Sequence, residues 1–143
     1  MTDRPVGKTK DQGWEIGVRR TFPISPATAW EIMVVDPGLA WWFGEDPDLT
    51  LEKGATFHTT DGTEGKIVGY NEGSLLRARW QPKDWPEPST LQLRIIPAGE
   101  KATIAIHHER LADAAHREAM RRHWTEILER VPSLISAKGL AKV

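Results

Sequence analysis

Histidines offer the widest choice of chemistry in this sequence, and two of the five stand together in the run His107–His108–Glu109. Adjacent side chains on a strand point to opposite faces, so His107 and His108 cannot serve the same site. The alternation places His108 on the face of Ile104 and Ile106. We therefore predict a neutral, hydrogen-bonded core histidine there. The alternative is a polar anchor that orients a ligand in an apolar pocket.

The other histidines complete no recognisable metal or catalytic constellation. His116 and His123 lie two turns apart on a predicted helix, about 10 Å, which is too far for one metal ion to bridge. His58 is expected to face solvent, because Phe57 takes the apolar side of its strand. The sequence has no cysteine, no HExxH pattern and no phosphate-binding glycine loop. We predict no metal and no cofactor, and the residues define no catalytic machinery.

The composition is typical of one soluble domain. Of the 143 residues, 27% are charged and 39% hydrophobic, and the net charge of −1 gives no attraction to nucleic acid. No apolar run reaches the roughly 20 residues that span a bilayer, and no secretory signal is present. We expect a cytoplasmic protein with a flexible tail at 1–12, one domain at 13–136 and a second tail at 137–143.

Tryptophan is the unusual residue type, with seven copies against one tyrosine and three phenylalanines. Trp14, Trp30 and Trp124 lie on apolar faces of predicted elements, which indicates packing. The stretch "DPGLAWWFG" instead places Trp41 and Trp42 in a short segment after a proline–glycine break. At least one of this adjacent pair should point inward, because neighbours on a short helix cannot share one side.

The hydrophobic periodicity predicts an α+β fold. A strand from Trp14 leads to a helix with Ser25 at its N-cap and Pro26 at its first position, and Asp36-Pro37-Gly38 stops that helix. Short alternating strands follow, then a long amphipathic helix capped by Asp113. We expect a curved antiparallel sheet of about six strands wrapped around the C-terminal helix, with two short helices after the first strand.

This element order, with "VRRTFPISPATAWEIMVVDPGLAWWFG" and "HHERL…HWTEILERV", resembles the helix-grip (START-like, SRPBCC) superfamily. Within it, the chain is similar to the branch named for homologues of the activator of the heat-shock protein 90 ATPase. The residues that carry the resemblance are an inward helix tryptophan, a DP…W turn, a glycine before a strand and a tryptophan in the last helix, here Trp30, Asp36, Pro37, Trp41, Trp42, Gly54, Phe57 and Trp124.

The resemblance implies a cavity between the sheet and the long helix. Members of the superfamily bind lipids, hormones or polyketide intermediates, and some are cyclases or hydroxylase subunits. We therefore predict a protein that binds an apolar or aromatic small molecule. Candidate cavity residues are Trp41, Trp42, Phe57, Trp80, Leu93, His108, His116, Met120 and Trp124.

Two alternatives stay open at this level. A protein-interaction module, such as a chaperone ATPase activator-like co-factor, would need an exposed aromatic patch, for which Trp41, Trp42 and Trp85 are candidates. A cyclase or hydrolase would need His108 or His116 as an acid–base group. The binding protein instead requires a void of about 300 Å³, the lower end of ordinary ligand pockets.

Overall fold

A computed structural model describes residues 8–9 and 13–138, with side chains from residue 14 onward. Seven strands and three α-helices are defined within these ranges. The strands are β1 (Lys8–Thr9), β2 (Gly13–Phe22), β3 (Thr56–His58), β4 (Glu64–Asn71), β5 (Leu75–Gln81), β6 (Ser89–Ala98) and β7 (Lys101–Leu111). The helices are α1 (Pro26–Trp30), α2 (Leu39–Trp42) and α3 (Ala114–Ala137).

The strands form one antiparallel sheet in the order β1-β2-β7-β6-β5-β4-β3. All strands after β2 follow one another as neighbours, and β7 closes against β2. This is the predicted sheet of about six strands with the two-residue β1 added at its edge. The helix-grip architecture expected from the sequence is confirmed.

The first helix begins where the sequence predicts, and its π-helical continuation ends at the predicted stop, Asp36-Pro37-Gly38. The Ser25 hydroxyl accepts a hydrogen bond from the Thr28 backbone N–H at 3.1 Å, and Pro26 takes the first helical position. Glu31–Val35 continue α1 as a π-helical turn, which the sequence did not indicate. Gly38 then adopts φ +68°, where an added Cβ would lie 2.7 Å from the Val34 carbonyl oxygen.

The core lies on the concave face of the sheet, under α3 and the short helices. Each strand presents alternate side chains to it, as in β5, where Leu76, Ala78 and Trp80 are buried and Arg79 is exposed. In β7 the buried members include Ile106 and His108, as the alternation predicts.

At both ends of the domain, secondary structure reaches further than the sequence predicts. Helix α3 continues past Pro132 to Ala137, and its side chains on both sides of the proline, Val131 and Ile135, are buried. Lys8–Thr9 pair with the start of β2 although they fall in the segment 1–12 predicted as a tail. The rest of that segment and residues 139–143 lie outside the described residues.

Candidate functional site

His108 is the centre of a buried hydrogen-bond chain, called here the His108 chain. Trp124 Nε1 lies 3.1 Å from His108 Nδ1, and His108 Nε2 lies 2.7 Å from Ser89 Oγ. Ser89 Oγ in turn donates to the Trp80 carbonyl oxygen at 2.5 Å. Strand β7, strand β6 and helix α3 thus each contribute one side chain. His108 and Trp124 have no exposed surface.

The donors in this chain determine the state of the imidazole. An indole N–H can only donate, so His108 Nδ1 must be the unprotonated acceptor. A neutral ring then carries its proton on Nε2 and donates it to Ser89. Burial, together with the smaller effects of the nearby His107 and His123, lowers the pKa of His108 to about 3. His108 is therefore neutral and fully hydrogen-bonded, as the core interpretation predicts.

An aromatic cluster fills the space between the sheet and α3 at the level of His108. The Trp124 ring packs against Trp42 and Trp80 with centroids 5.8 and 5.7 Å apart. Trp80 also lies 5.4 Å from the His108 ring and 6.4 Å from Phe43. These contacts place a packed group of rings between the sheet and α3, where the sequence resemblance implies a cavity.

Trp42 is the inward member of the Trp41–Trp42 pair. Its indole N–H donates to the Met33 carbonyl oxygen at 2.8 Å, and its side chain is buried. Trp80 is anchored in the same way, by a 2.9 Å hydrogen bond from Nε1 to the Phe43 carbonyl oxygen. Trp41 is half-buried and lies at the surface of the same segment.

An open cleft lies directly outside this cluster and is called here the tryptophan cleft. Its volume is about 350 Å³. Eight of its twelve lining residues have apolar side chains, and Asp61, Thr63 and His123 add polar groups to the lining. The lining residues are Ala40, Trp41, Trp42, Phe43, Gly44, Asp61, Thr63, Trp80, Pro82, Trp85, Met120 and His123.

Trp85 links the cleft to the His108 chain. Its ring stacks on His108 with centroids 5.8 Å apart and planes 13° apart, and it meets Trp80 edge-on at 5.9 Å. On its other side the ring lies 5.2 Å from His116. The loop that carries Trp85 is held by Gln81, whose Nε2 donates to the Trp85 carbonyl oxygen at 2.8 Å. Trp85 therefore covers the histidine and forms one wall of the cleft.

Two titratable groups lie among the apolar walls. A hydrogen bond from the Thr59 hydroxyl holds the pKa of Asp61 below its usual range, and the Thr63 backbone N–H donates to the same oxygen at 3.2 Å. Burial lowers the pKa of His123, whose ring packs 4.5 Å from Trp124. The cleft thus combines an ionised carboxylate with a neutral imidazole near pH 7.

Eight of the nine predicted cavity residues divide into two sets. Trp41, Trp42, Trp80 and Met120 line the cleft. Phe57, Leu93, His108 and Trp124 are buried in the core behind it. His116 does not line the cleft but contacts Trp85, which does.

Sequence reasoning did not assign His123, Asp61 or Thr63 to the site. Asp61 is a hairpin-turn residue by its Asp61-Gly62 signature, and His123 lies on the polar side of the helical pattern. A local pattern does not show that the β3–β4 turn and the middle of α3 border the same cleft.

Within residues 8–9 and 13–138, no three histidine, aspartate or glutamate side chains are grouped to hold a metal ion. No helix in this part of the chain is long and apolar enough to cross a membrane.

A seven-stranded antiparallel sheet gripping a C-terminal helix, with a cleft beside that helix, defines a helix-grip protein. The family described as Activator of Hsp90 ATPase homolog 1-like protein matches residues 23–136. The chain belongs to this family, as the motifs around Trp30 and Trp124 predict. No curated protein matches the sequence.

Several solved structures share the fold at low sequence identity. CalU16 from Micromonospora echinospora is 20% identical, over 82% of this chain and 72% of that chain, with a TM-score of 0.68. PFC0360w, an Hsp90 activator from Plasmodium falciparum, is 15% identical, over 87% and 97%, with a TM-score of 0.70. The Aha1 dimer from Colwellia psychrerythraea is 13% identical, over 82% and 92%, with a TM-score of 0.61.

Proposed function

We propose that this protein binds an apolar or aromatic small molecule in the tryptophan cleft. The observation that carries the proposal is the cleft itself, whose volume of about 350 Å³ lies within the range of ordinary ligand pockets. Trp41, Trp80 and Trp85 offer ring faces or edges to an occupant, and Met120 adds an adaptable thioether wall.

The fixed positions of the cleft's aromatic side chains support a preformed binding site. Trp42 and Trp80 are both fixed by hydrogen bonds to backbone carbonyl groups, so a ligand would not need to order them. Asp61 and His123 supply the sparse polar contacts with which an apolar pocket orients its ligand. The ligand would lie outside the His108 chain, in the cleft bordered by Trp41, Trp80 and Trp85.

The test is a titration with fatty acids, sterols and aromatic polyketides, followed by tryptophan fluorescence and thermal unfolding. A ligand that binds the native state raises the unfolding midpoint once its concentration exceeds Kd. Met120→Ala should weaken binding about fivefold, because it removes part of a half-buried side chain worth about 1 kcal/mol of contact.

Leu134→Ala is the matched control for this variant. Leu134 is also half-buried on α3 but lies about 21 Å along the helix from Met120 and does not line the cleft. Its affinity should equal that of the wild type. Equal losses in the two variants, or no stabilisation by any member of the panel, would refute the proposal.

The family match and the likeness to an Hsp90 activator favour a second candidate function, a co-factor of a chaperone ATPase. The surface offers this candidate less support. Among the described residues, Val35, at 60% exposure, is the only exposed large hydrophobic side chain. Adding the protein to Hsp90 and measuring ATP hydrolysis separates the two candidates. Stimulation that an apolar ligand does not alter would favour the co-factor.

A further inference from the structure

A second concavity lies on the other face of the sheet, away from α3, and is called here the arginine groove. Its volume is about 530 Å³, and its lining is Val68, Arg77, Arg79, Glu87, Pro88, Ser89, Thr90 and Arg110. Arg77 and Arg79 alternate along β5 with the buried residues Leu76, Ala78 and Trp80, which places the groove outside the core. It is therefore separate from the tryptophan cleft.

One of the three arginines is already committed to protein partners. Arg77 donates from one guanidinium nitrogen to Gln92 Oε1 and from the other to Glu109 Oε1, both at 3.0 Å. Glu109 is only 3% exposed, so its carboxylate is paired internally. The Arg77–Glu109 pair contributes no net charge and fixes the floor of the groove.

Arg79 and Arg110 are not paired with other protein side chains in this way. Neither forms an ion pair or a side-chain hydrogen bond with any residue that the structure describes, and both are exposed. The cross-strand register aligns Arg79 with Thr90 on β6 and Thr90 with Glu109 on β7. Arg110 follows Glu109, so the two free guanidinium groups start about two strand spacings apart, with Thr90 between them.

Arg110 reaches this face through an irregularity in β7. Trp14 pairs with Leu111 and Ile16 with His108, so β7 contains one residue more than β2 between these pairs. Arg110 in this bulge has φ +60°, a conformation that residues other than glycine rarely adopt. Bulges re-aim side chains next to functional sites, and strained residues are found at ligand clamps. Here the alternation is broken, and Arg110 is exposed while Leu111 is buried.

We propose that the arginine groove binds a small phosphomonoester, with Arg79 and Arg110 holding its phosphate. Arg79 and Arg110 form no ion pair with any described residue. Even with the acidic Glu87 in the lining, they leave a positive charge in the groove to attract a group that carries about two negative charges near neutral pH. The planar fork of each donates two hydrogen bonds to phosphate oxygens, and the Thr90 hydroxyl adds a central donor. Val68 and Pro88 offer an apolar wall to the organic part of the molecule.

The experiment titrates ¹⁵N-labelled protein with phenyl phosphate and with inorganic phosphate, at about 150 mM salt to screen distant charges. Saturable shifts are expected at the backbone amides of Thr90 and Arg110. Arg79→Gln and Arg110→Gln should each weaken binding about tenfold or more, because each removes charge-assisted hydrogen bonds. Thermal unfolding of each variant checks that it is folded.

Arg94→Gln is the matched control. It removes the same charge from the same sheet face, four residues along β6 from Thr90, or about 13 Å. Its affinity should stay within about twofold of the wild type, since that distance exceeds the Debye length. Equal weakening by Arg94→Gln, absence of saturation by about 10 mM, or equally tight binding of succinate would overturn the proposal. Ligand binding in the tryptophan cleft should be unchanged in all three variants.

Discussion

The His108 chain makes the stability of the protein depend on pH in a predictable window. In the unfolded chain a histidine takes up its proton near pH 6.5, whereas burial lowers the pKa of native His108 to about 3. Below about pH 6.5 the unfolded state therefore binds a proton that the native state excludes. Stability from this site is complete above that pH and is lost progressively as the pH falls toward 3.

The magnitude follows from the two pKa values. Between about pH 8 and pH 5, protonation of unfolded His108 should cost the native state about 2 kcal/mol. This figure changes little for any native pKa below about 4, because the native ring then stays neutral at pH 5. The geometry supports such a low value, since a proton on Nδ1 would face the Trp124 N–H at 3.1 Å.

The assay is urea unfolding of the wild type and His108→Gln at both pH values. Glutamine removes the titrating group and leaves the other ionisable side chains in place, so their contributions cancel in the comparison. The wild type should lose about 2 kcal/mol more than the variant on acidification. Parallel losses, or native His108 ring resonances that titrate above about pH 5, would show that our account of the buried neutral imidazole is wrong.

Two further substitutions test the packing around the site. Trp124→Phe removes the N–H that donates to His108 Nδ1. It should lower the free energy of unfolding by about 1–3 kcal/mol, because a buried acceptor is left unsatisfied. An unchanged urea midpoint would argue against that hydrogen bond. Gly65→Ala should lower the free energy of unfolding by about 3 kcal/mol or more, because the new Cβ would lie 1.9 Å from the Arg79 carbonyl oxygen. Gly69→Ala on the same strand is the control in thermal unfolding, because its Cβ would meet nothing closer than 3.4 Å.

Local patterns were sufficient to predict most of the fold. Ser25 and Pro26 start α1 through chemistry confined to one turn, and Asp113 caps α3 by accepting the His116 backbone N–H at 2.8 Å. Strand alternation correctly placed Ile104, Ile106 and His108 on one buried face. These features depend on neighbours in sequence, so composition and periodicity reveal them. The π-helical turn at Glu31–Val35 has no such local signature.

The sequence by itself determined the helix-grip architecture, the family and the place of His108 as an uncharged core histidine, because short-range periodicity and motifs encode them. Only the tertiary structure decided which aromatic side chains fill the interior and which border open space. Trp42 and Trp124 are 82 residues apart in the chain, yet their rings meet at 5.8 Å between the sheet and α3. Asp61 and His123 come to one cleft for the same reason, since side chains far apart in sequence meet only when the sheet curves around its helix.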